Sequence, residues 1–188
     1  MLFRSKSFQA STEASDIICL LDSVYHEERL TGVFILVDKF KKACRTKNEE
    51  PWVKLYLSKT DRINNWDLVD SSAHLILGKW LEDNDRSILK KMATSKLLWD
   101  NRIAIVATAH FIRKNDFNDI LSLAPIMFSH QHDLMHKATG WMLREVWQRN
   151  SELVEQFLDI HVKSMPRTML RYTIEKMEEG KRKMYLSI

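Results

Sequence analysis

The stretch DNRIAIVATAH (100–110) sets one charged residue, Arg102, at the head of a mostly apolar run, and the same arrangement recurs four more times. EERLTGVFILV (27–37) carries it at Arg29, LVDSSAHLILG (68–78) at Asp70, MHKATGWMLRE (135–145) at Lys137 and MLRYTIEKM (169–177) at Arg171. The five charges lie 41, 32, 35 and 34 residues apart, near the period at which helix pairs repeat in stacked helical proteins. The segments between them are also helical in spacing. Over 13–25 the apolar positions are Ile17, Ile18, Leu20, Leu21 and Val24, with Ser11 or Thr12 as cap. The stripe of the next helix is Leu30, Val33, Phe34, Val37 and Phe40, closed by Lys41, Lys42 and Arg45 at its electronegative end. Pro51 starts a short helix over 52–58, and Asn64 and Asn65 cap a longer one over 66–81. Further helices are expected to about 94, over 97–114, over 116–130 with Pro125 bending the last turns, and over 134–149, 152–162 and 166–177.

No comparable segment alternates with period two, and 4 Gly and 3 Pro leave too little turn chemistry for a sandwich or barrel. Short connections make consecutive helices antiparallel pairs. The expected fold is all-α, an α-solenoid of HEAT-like pairs with a concave basic groove, forming one domain over 13–188 behind a weakly ordered tail over 1–12. A chain of 188 residues with 45% hydrophobic residues can bury a core of that size. No run of about 18 apolar residues directs it into a membrane. Cys19 and Cys44, 25 positions apart, suit neither a zinc site nor a disulfide framework, which reads as a reducing, cytoplasmic setting, nucleoid-associated in a bacterium.

Two helical turns gather residues with chemistry. Trp66 and Asp70, at i and i+4, share a face, so an indole stands beside a carboxylate. Lys137, Trp141 and Arg144 share a face of another helix. If the second helix of each pair lines the concave side, Arg29, Asp70, Arg102, Lys137 and Arg171 form a row along it. Such a row tracks a phosphate backbone in one reading and links neighbouring repeats in the other; the acid Asp70 fits the first poorly. Trp52, Trp80, Trp99 and Trp147 read as core. Gly32 and Gly78 read as points of tight helix contact, and Gly140 as close packing or close backbone approach. Gly-rich phosphate loops, GxSxG, HExxH and paired CxxC motifs are absent from the sequence. His130 and His132 have no third ligand nearby, so no metal is expected.

The stretches 26–43, 64–81 (NNWDLVDSSAHLILGKWL), 98–114, 136–146 (HKATGWMLREV) and 165–177 together resemble the AlkD-type DNA alkylation repair family, across about residues 13–186. That resemblance implies a HEAT-like glycosylase, monofunctional and free of metal and cofactor, that releases N3- and N7-alkylated purines from duplex DNA without flipping the nucleotide. It further implies Asp70 as the catalytic aspartate, Trp66 and Trp141 as the two tryptophans at the lesion's deoxyribose, and Arg102 as a groove arginine beside it. Lys137, Arg144, Arg29 and Arg171 would complete the DNA-binding set, with no membrane and no obligate protein partner. Family members carry additional helices before the segment matched by 13–25, so the chain reads as N-terminally short. Two other functions fit the same fold: a non-catalytic solenoid recognising distorted or branched DNA, and a protein-binding scaffold.

Overall fold

In the computed structural model, which describes residues 12–188, helix α1 (Ala14–Asp22) begins where the Glu13 N–H donates to Asp16 Oδ2 at 2.8 Å. Glu13 and Asp16 form a capping box there; Ser11, one of the two expected caps, lies outside the described residues. The expected tail lies, but for Thr12, outside the described residues. Helix α2 (His26–Ala43) buries Gly32, Val33, Leu36, Val37 and Phe40. Phe34, expected in the stripe, is exposed: it sits one residue, or about 100° of helix, beyond Val33, and the face centred on 33, 36, 37 and 40 turns it outward. Gly32 meets Leu20 and Leu21 of α1, and the absence of a side chain there lets the first pair close.

After α3 (Glu50–Ser58), with Pro51 in its first turn, comes α4 (Trp66–Asp70), which continues through a π-helical turn, His74–Gly78. The expected uninterrupted helix over 66–81 thus contains a widened turn, in which Gly78 N–H donates to the carbonyl of Ala73, five residues back, at 2.9 Å. Helix α5 (Ser87–Ala93) leads to α6 (Leu98–Ala107) and α7 (Ala109–Ile112), divided at Thr108, whose buried hydroxyl donates to the Ile105 carbonyl at 2.6 Å. Helix α8 (Asn118–Leu123) tightens into the 3-10 turn Ala124–Ser129 at Pro125, as proline chemistry requires. Then follow α9 (Asp133–Trp147), α10 (Ser151–His161), α11 (Arg167–Thr173) and α12 (Glu179–Ser187). The last was not predicted: its sequence, EGKRKMYLS, buries only Tyr185 and so offers no apolar period.

The second helices of the pairs, α2, α4 with its π turn, α6, α9 and α11, each pack on the next, while α1, α3, α5, α8 and α10 back them. Like ends meet along this inner row. His26 at the start of α2 bonds Asp67 at the start of α4, and Arg144 near the end of α9 pairs with Glu175 just past α11. The inner helices therefore run parallel, and the described residues form an all-helical α-solenoid. Gly78 and Gly140 show the repeat at atomic scale. A Cβ at Gly78 would lie 2.4 Å from the Ala107 oxygen and 2.8 Å from His110 Cβ; one at Gly140 would lie 2.5 Å from the Met169 oxygen and 2.6 Å from Tyr172 Cβ. Both partners stand 29 and 32 residues ahead of their glycine, so Gly140 joins Gly78 as a backbone-to-backbone contact between inner helices. Trp52, Trp80, Trp99 and Trp147, expected inside, pack against the core only partly buried. Among the described residues no helix is long and apolar enough to cross a membrane.

Candidate functional site

Asn65 caps α4 by accepting from the Trp66 N–H at 2.8 Å, which fixes where the helix starts and thereby which side chains face out. Trp66 at its first position is 54% exposed, in contrast to the other five tryptophans, all packed against the core. One turn later stands Asp70, with 19% of its side chain accessible. Its two oxygens are taken by one guanidinium: Arg102 Nε donates to Oδ1 at 3.0 Å and Nη2 to Oδ2 at 2.8 Å. The third nitrogen, Nη1, donates to the Leu134 carbonyl at 2.8 Å, in the first turn of α9. Arg102 thus ties three successive inner helices together, and its side chain is only 6% exposed.

Arg102, expected as a groove arginine beside the lesion, is thus placed between Asp70 and the start of α9. Three of its five N–H groups are engaged within the protein, so it holds Asp70 in place against α6 and α9. Burial pushes the Asp70 carboxyl above the ordinary carboxylate range; the Arg102 hydrogen bonds and charge oppose that rise, and neighbouring Asp67 adds to it. A carboxylate with one lone pair of each oxygen fixed by a planar fork keeps the remaining lone pairs directed outward.

Several supporting residues were not foreseen. Tyr56, fully buried on α3, shares a 3.0 Å hydrogen bond with Ser72, whose hydroxyl donates to the Leu68 carbonyl at 2.6 Å. Burial drives the Tyr56 phenol upward, Ser72 opposes, and the nearby Asp70 charge adds to the rise. His26 Nε2 lies 2.7 Å from Asp67 Oδ2, and Asp67 Oδ1 accepts from the Leu68 N–H at 2.9 Å. His74, one turn past Asp70, is pushed down to about 4, first by burial and then by the positive charges of Arg113, His110 and Lys41, so it is neutral. The Tyr56–Ser72 and His26–Asp67 contacts have no local sequence signature, since in each the two partners come from different helices.

The other predicted residues divide. Trp141 lies two turns beyond Leu134 on α9, on the same face, partly buried against the core. Lys137 pairs with Asp133 at 2.8 Å on its own helix and stays accessible. Arg144 pairs with Glu175, a link between repeats. Arg29 Nη1 donates to the carbonyls of Ser23 and Val24 at 2.9 and 3.1 Å, bracing the corner between α1 and α2. Arg171 is exposed in the last turn of α11. The row of five charges is therefore mixed: Arg29 and Arg102 serve the fold, and Lys137 and Arg171 remain open to solvent.

His130 and His132 serve the loop into α9. His130 Nε2 meets Asn101 Oδ1 at 3.2 Å, and its Nδ1 accepts from the His132 N–H at 3.0 Å; His132 Nδ1 in turn caps the Leu134 N–H at 3.2 Å. Burial and the charges of His136 and His132 lower His130, which suits a ring that must accept at Nδ1. Among the described residues no three His, Cys, Asp or Glu side chains come together as metal ligands.

The family model for DNA alkylation repair enzymes matches residues 3–177. A solved structure, "Predicted DNA alkylation repair enzyme from Enterococcus faecalis", resembles this chain with a TM-score of 0.75, over 93% of this chain and 81% of its own, at 14% sequence identity. At that identity the likeness speaks for the fold alone. Comparison with curated proteins gives no match.

Proposed function

The chain belongs to the DNA alkylation repair enzyme family, and from that membership and the setting of Asp70 we propose that it is a glycosylase hydrolysing the N-glycosidic bond of cationic N3- or N7-alkylated purines in duplex DNA. The observation that carries this reading is a half-hidden carboxylate, Asp70, held by a bidentate arginine one turn from the exposed indole of Trp66.

The chemistry suits so short a list of groups. Hydrolysing an ordinary glycoside takes two carboxylates because the leaving group must be protonated. An N3- or N7-alkylated purine is already cationic, and when the C1′–N bond breaks the electron pair leaves with a neutral base. Positive charge then develops on the deoxyribose. A carboxylate about 4 Å away, at an effective dielectric near 20, stabilises it by roughly 4 kcal/mol before desolvation. Water adds its hydroxyl to C1′ and gives its proton to Asp70. The faces of Trp66 and Trp141 bracket the sugar and attract its charge, at about 0.5–2 kcal/mol each. Arg102 acts through Asp70 as a positioning residue: its fork fixes the rotamer and favours the ionised form against burial. Lys137 and Arg171 are the accessible members of the predicted set left to meet phosphates.

Single-turnover release of 7-methylguanine from duplex DNA tests the proposal, with the wild type compared against Asp70→Asn, Trp66→Ala and Trp141→Ala. Release by the wild type, a loss of at least a hundredfold in Asp70→Asn at near-normal DNA binding, and smaller losses in the two Trp variants are expected. DNA binding without release by the wild type would instead identify a non-catalytic DNA-binding solenoid.

A further inference from the structure

Along the inner row the helix starts are in register. His26 and Asp67 bond at a separation of 41 residues and Asp70 and Arg102 at 32, which sets Tyr25 beside Trp66 and Trp66 beside the Leu97 and Leu98 pair. Since the inner helices are parallel, these starts share one edge of the solenoid. The edge is apolar and exposed: Val24 81%, Tyr25 65%, Trp66 54% and Leu97 50%. Among the described residues these are four of the eight large hydrophobic side chains left in solvent, and they belong to three consecutive repeats.

The edge is also held rigidly. Arg29 binds the carbonyls of Ser23 and Val24, Arg62 those of Leu21, Asp22 and Ser23, and the Tyr25 N–H donates to Ser23 Oγ at 3.1 Å. Preorganised backbone that offers apolar side chains to water is a surface built for contact. Carboxylates stand in the first turns beneath it, Glu27, Glu28, Asp67 and Asp100, so it is not a phosphate-tracking surface. Lys96, next to Leu97, is an exposed cation beside it.

We propose that Val24, Tyr25 and Leu97 extend the Trp66 contact into an apolar ridge that seats on the deoxyribose faces and minor-groove edges of duplex DNA on both sides of the lesion. The inference rests on the reading of Asp70 as the reacting carboxylate. A duplex presenting a C1′ to Asp70 must cross Trp66, and the neighbouring inner helices stand about 8–10 Å to either side. At about 3.4 Å per nucleotide along a strand, Tyr25 and Leu97 meet sugars two or three nucleotides from the lesion. Apolar contact there adds affinity without releasing counterions, and it favours the wider or unstacked groove that damaged duplex offers.

The test is binding of a short undamaged duplex, followed by fluorescence anisotropy across a salt series, for the wild type, Tyr25→Ser, Leu97→Ser and Ile160→Ser. Ile160 is 75% exposed on the backing helix α10 and controls for loss of any surface hydrophobe. Tyr25→Ser and Leu97→Ser are each expected to weaken binding roughly five- to tenfold with the slope of affinity against salt unchanged, and Ile160→Ser to leave both unchanged. Equal affinity for all four proteins overturns the proposal. So does a change in sedimentation from dimer to monomer in Tyr25→Ser or Leu97→Ser at unaltered DNA affinity, which would make the ridge a contact between copies of the chain. Failure of the glycosylase reading registers elsewhere, as absence of base release by the wild type while the four affinities still separate.

Discussion

Replacing Arg102 by Met removes a side chain 6% exposed whose three nitrogens bond Asp70 twice and Leu134 once. The Asp70 carboxylate, 19% accessible, loses its paired cation, and the Leu134 carbonyl loses one hydrogen bond. Breaking a buried ion pair from one side costs about 3–5 kcal/mol. Water reaching Asp70 places this case at the lower end, about 3 kcal/mol. The penalty depends on pH in a defined direction. Burial already raises the Asp70 carboxyl, and Arg102 opposes that rise. A group raised on folding contributes stability when protonated and loses it as pH climbs through its folded value. Without Arg102 that value rises further, so the gap between variant and wild type widens from acidic to neutral pH. Urea unfolding at several pH values measures it, with an unchanged m-value as the check on two-state behaviour. A cycle with Asp70→Asn and the double variant should return a coupling near 2 kcal/mol. A loss below about 1 kcal/mol for Arg102→Met, together with a salt slope for DNA binding reduced by one phosphate, would refute the assignment and return Arg102 to the groove.

The rate of base release by the wild type should rise with pH through an inflection above the ordinary carboxylate range, because Asp70 acts ionised and burial raises it; Arg102→Lys, which cannot form the fork, moves that inflection up, and a flat profile would remove Asp70 from the reaction. Gly78→Ala and Gly140→Ala, whose Cβ atoms would sit 2.4 and 2.5 Å from the Ala107 and Met169 oxygens, should each destabilise by about 2–3 kcal/mol despite the better helix propensity of Ala. Gly32→Ala, which meets only Leu20 and Leu21 side chains at 3.0–3.4 Å, should stay within about 1 kcal/mol of the wild type in the same melts. Glu82 is pushed down to about 2 chiefly by its hydrogen bonds to Lys114 and Lys79, so its stabilisation is complete above 4.5 and lost as pH falls toward 2. Glu82→Gln should therefore flatten the acid limb of the stability curve, by about 1 kcal/mol given the exposure of Lys114.

The fold was legible because helical period and recurrence are local properties of a chain. The same five runs that open with a charge became α2, α4 with its π turn, α6, α9 and α11. What failed was finer. The stripe on α2 takes in Phe34 because five apolar residues in a row, Val33 to Val37, leave the centre of the face undetermined until α1 packs against Gly32. The π turn depends on Gly78 seating against Ala107, and α12 on Glu178 capping Gly180 and Lys181 in a segment with almost no buried face. Trp66 and Asp70 could be paired from their spacing, since i and i+4 share a face whatever the neighbours do. The destination of Arg102, and the support from Tyr56, Ser72 and His26, depend on the rotation of one helix against the next.

Asp70 is the case where those two kinds of information meet. As the lone acid in a row of bases it fits badly with a uniform phosphate-binding groove. The interval of 32 residues to Arg102, taken as one step along such a row, is the step that brings opposite charges together across two inner helices. The interval from Arg102 to Leu134 is also 32, and there the same guanidinium closes on the next helix. Stacking of the repeats and presentation of the carboxylate are thus one contact. A substitution that changes the angle between α4 and α6, even one as remote as Gly78→Ala, must also move Asp70 relative to Trp66. Loss of base release should therefore accompany loss of stability at inner-row packing positions, whereas equal destabilisation in the backing row, as at Leu158 of α10, should leave release by the folded fraction intact.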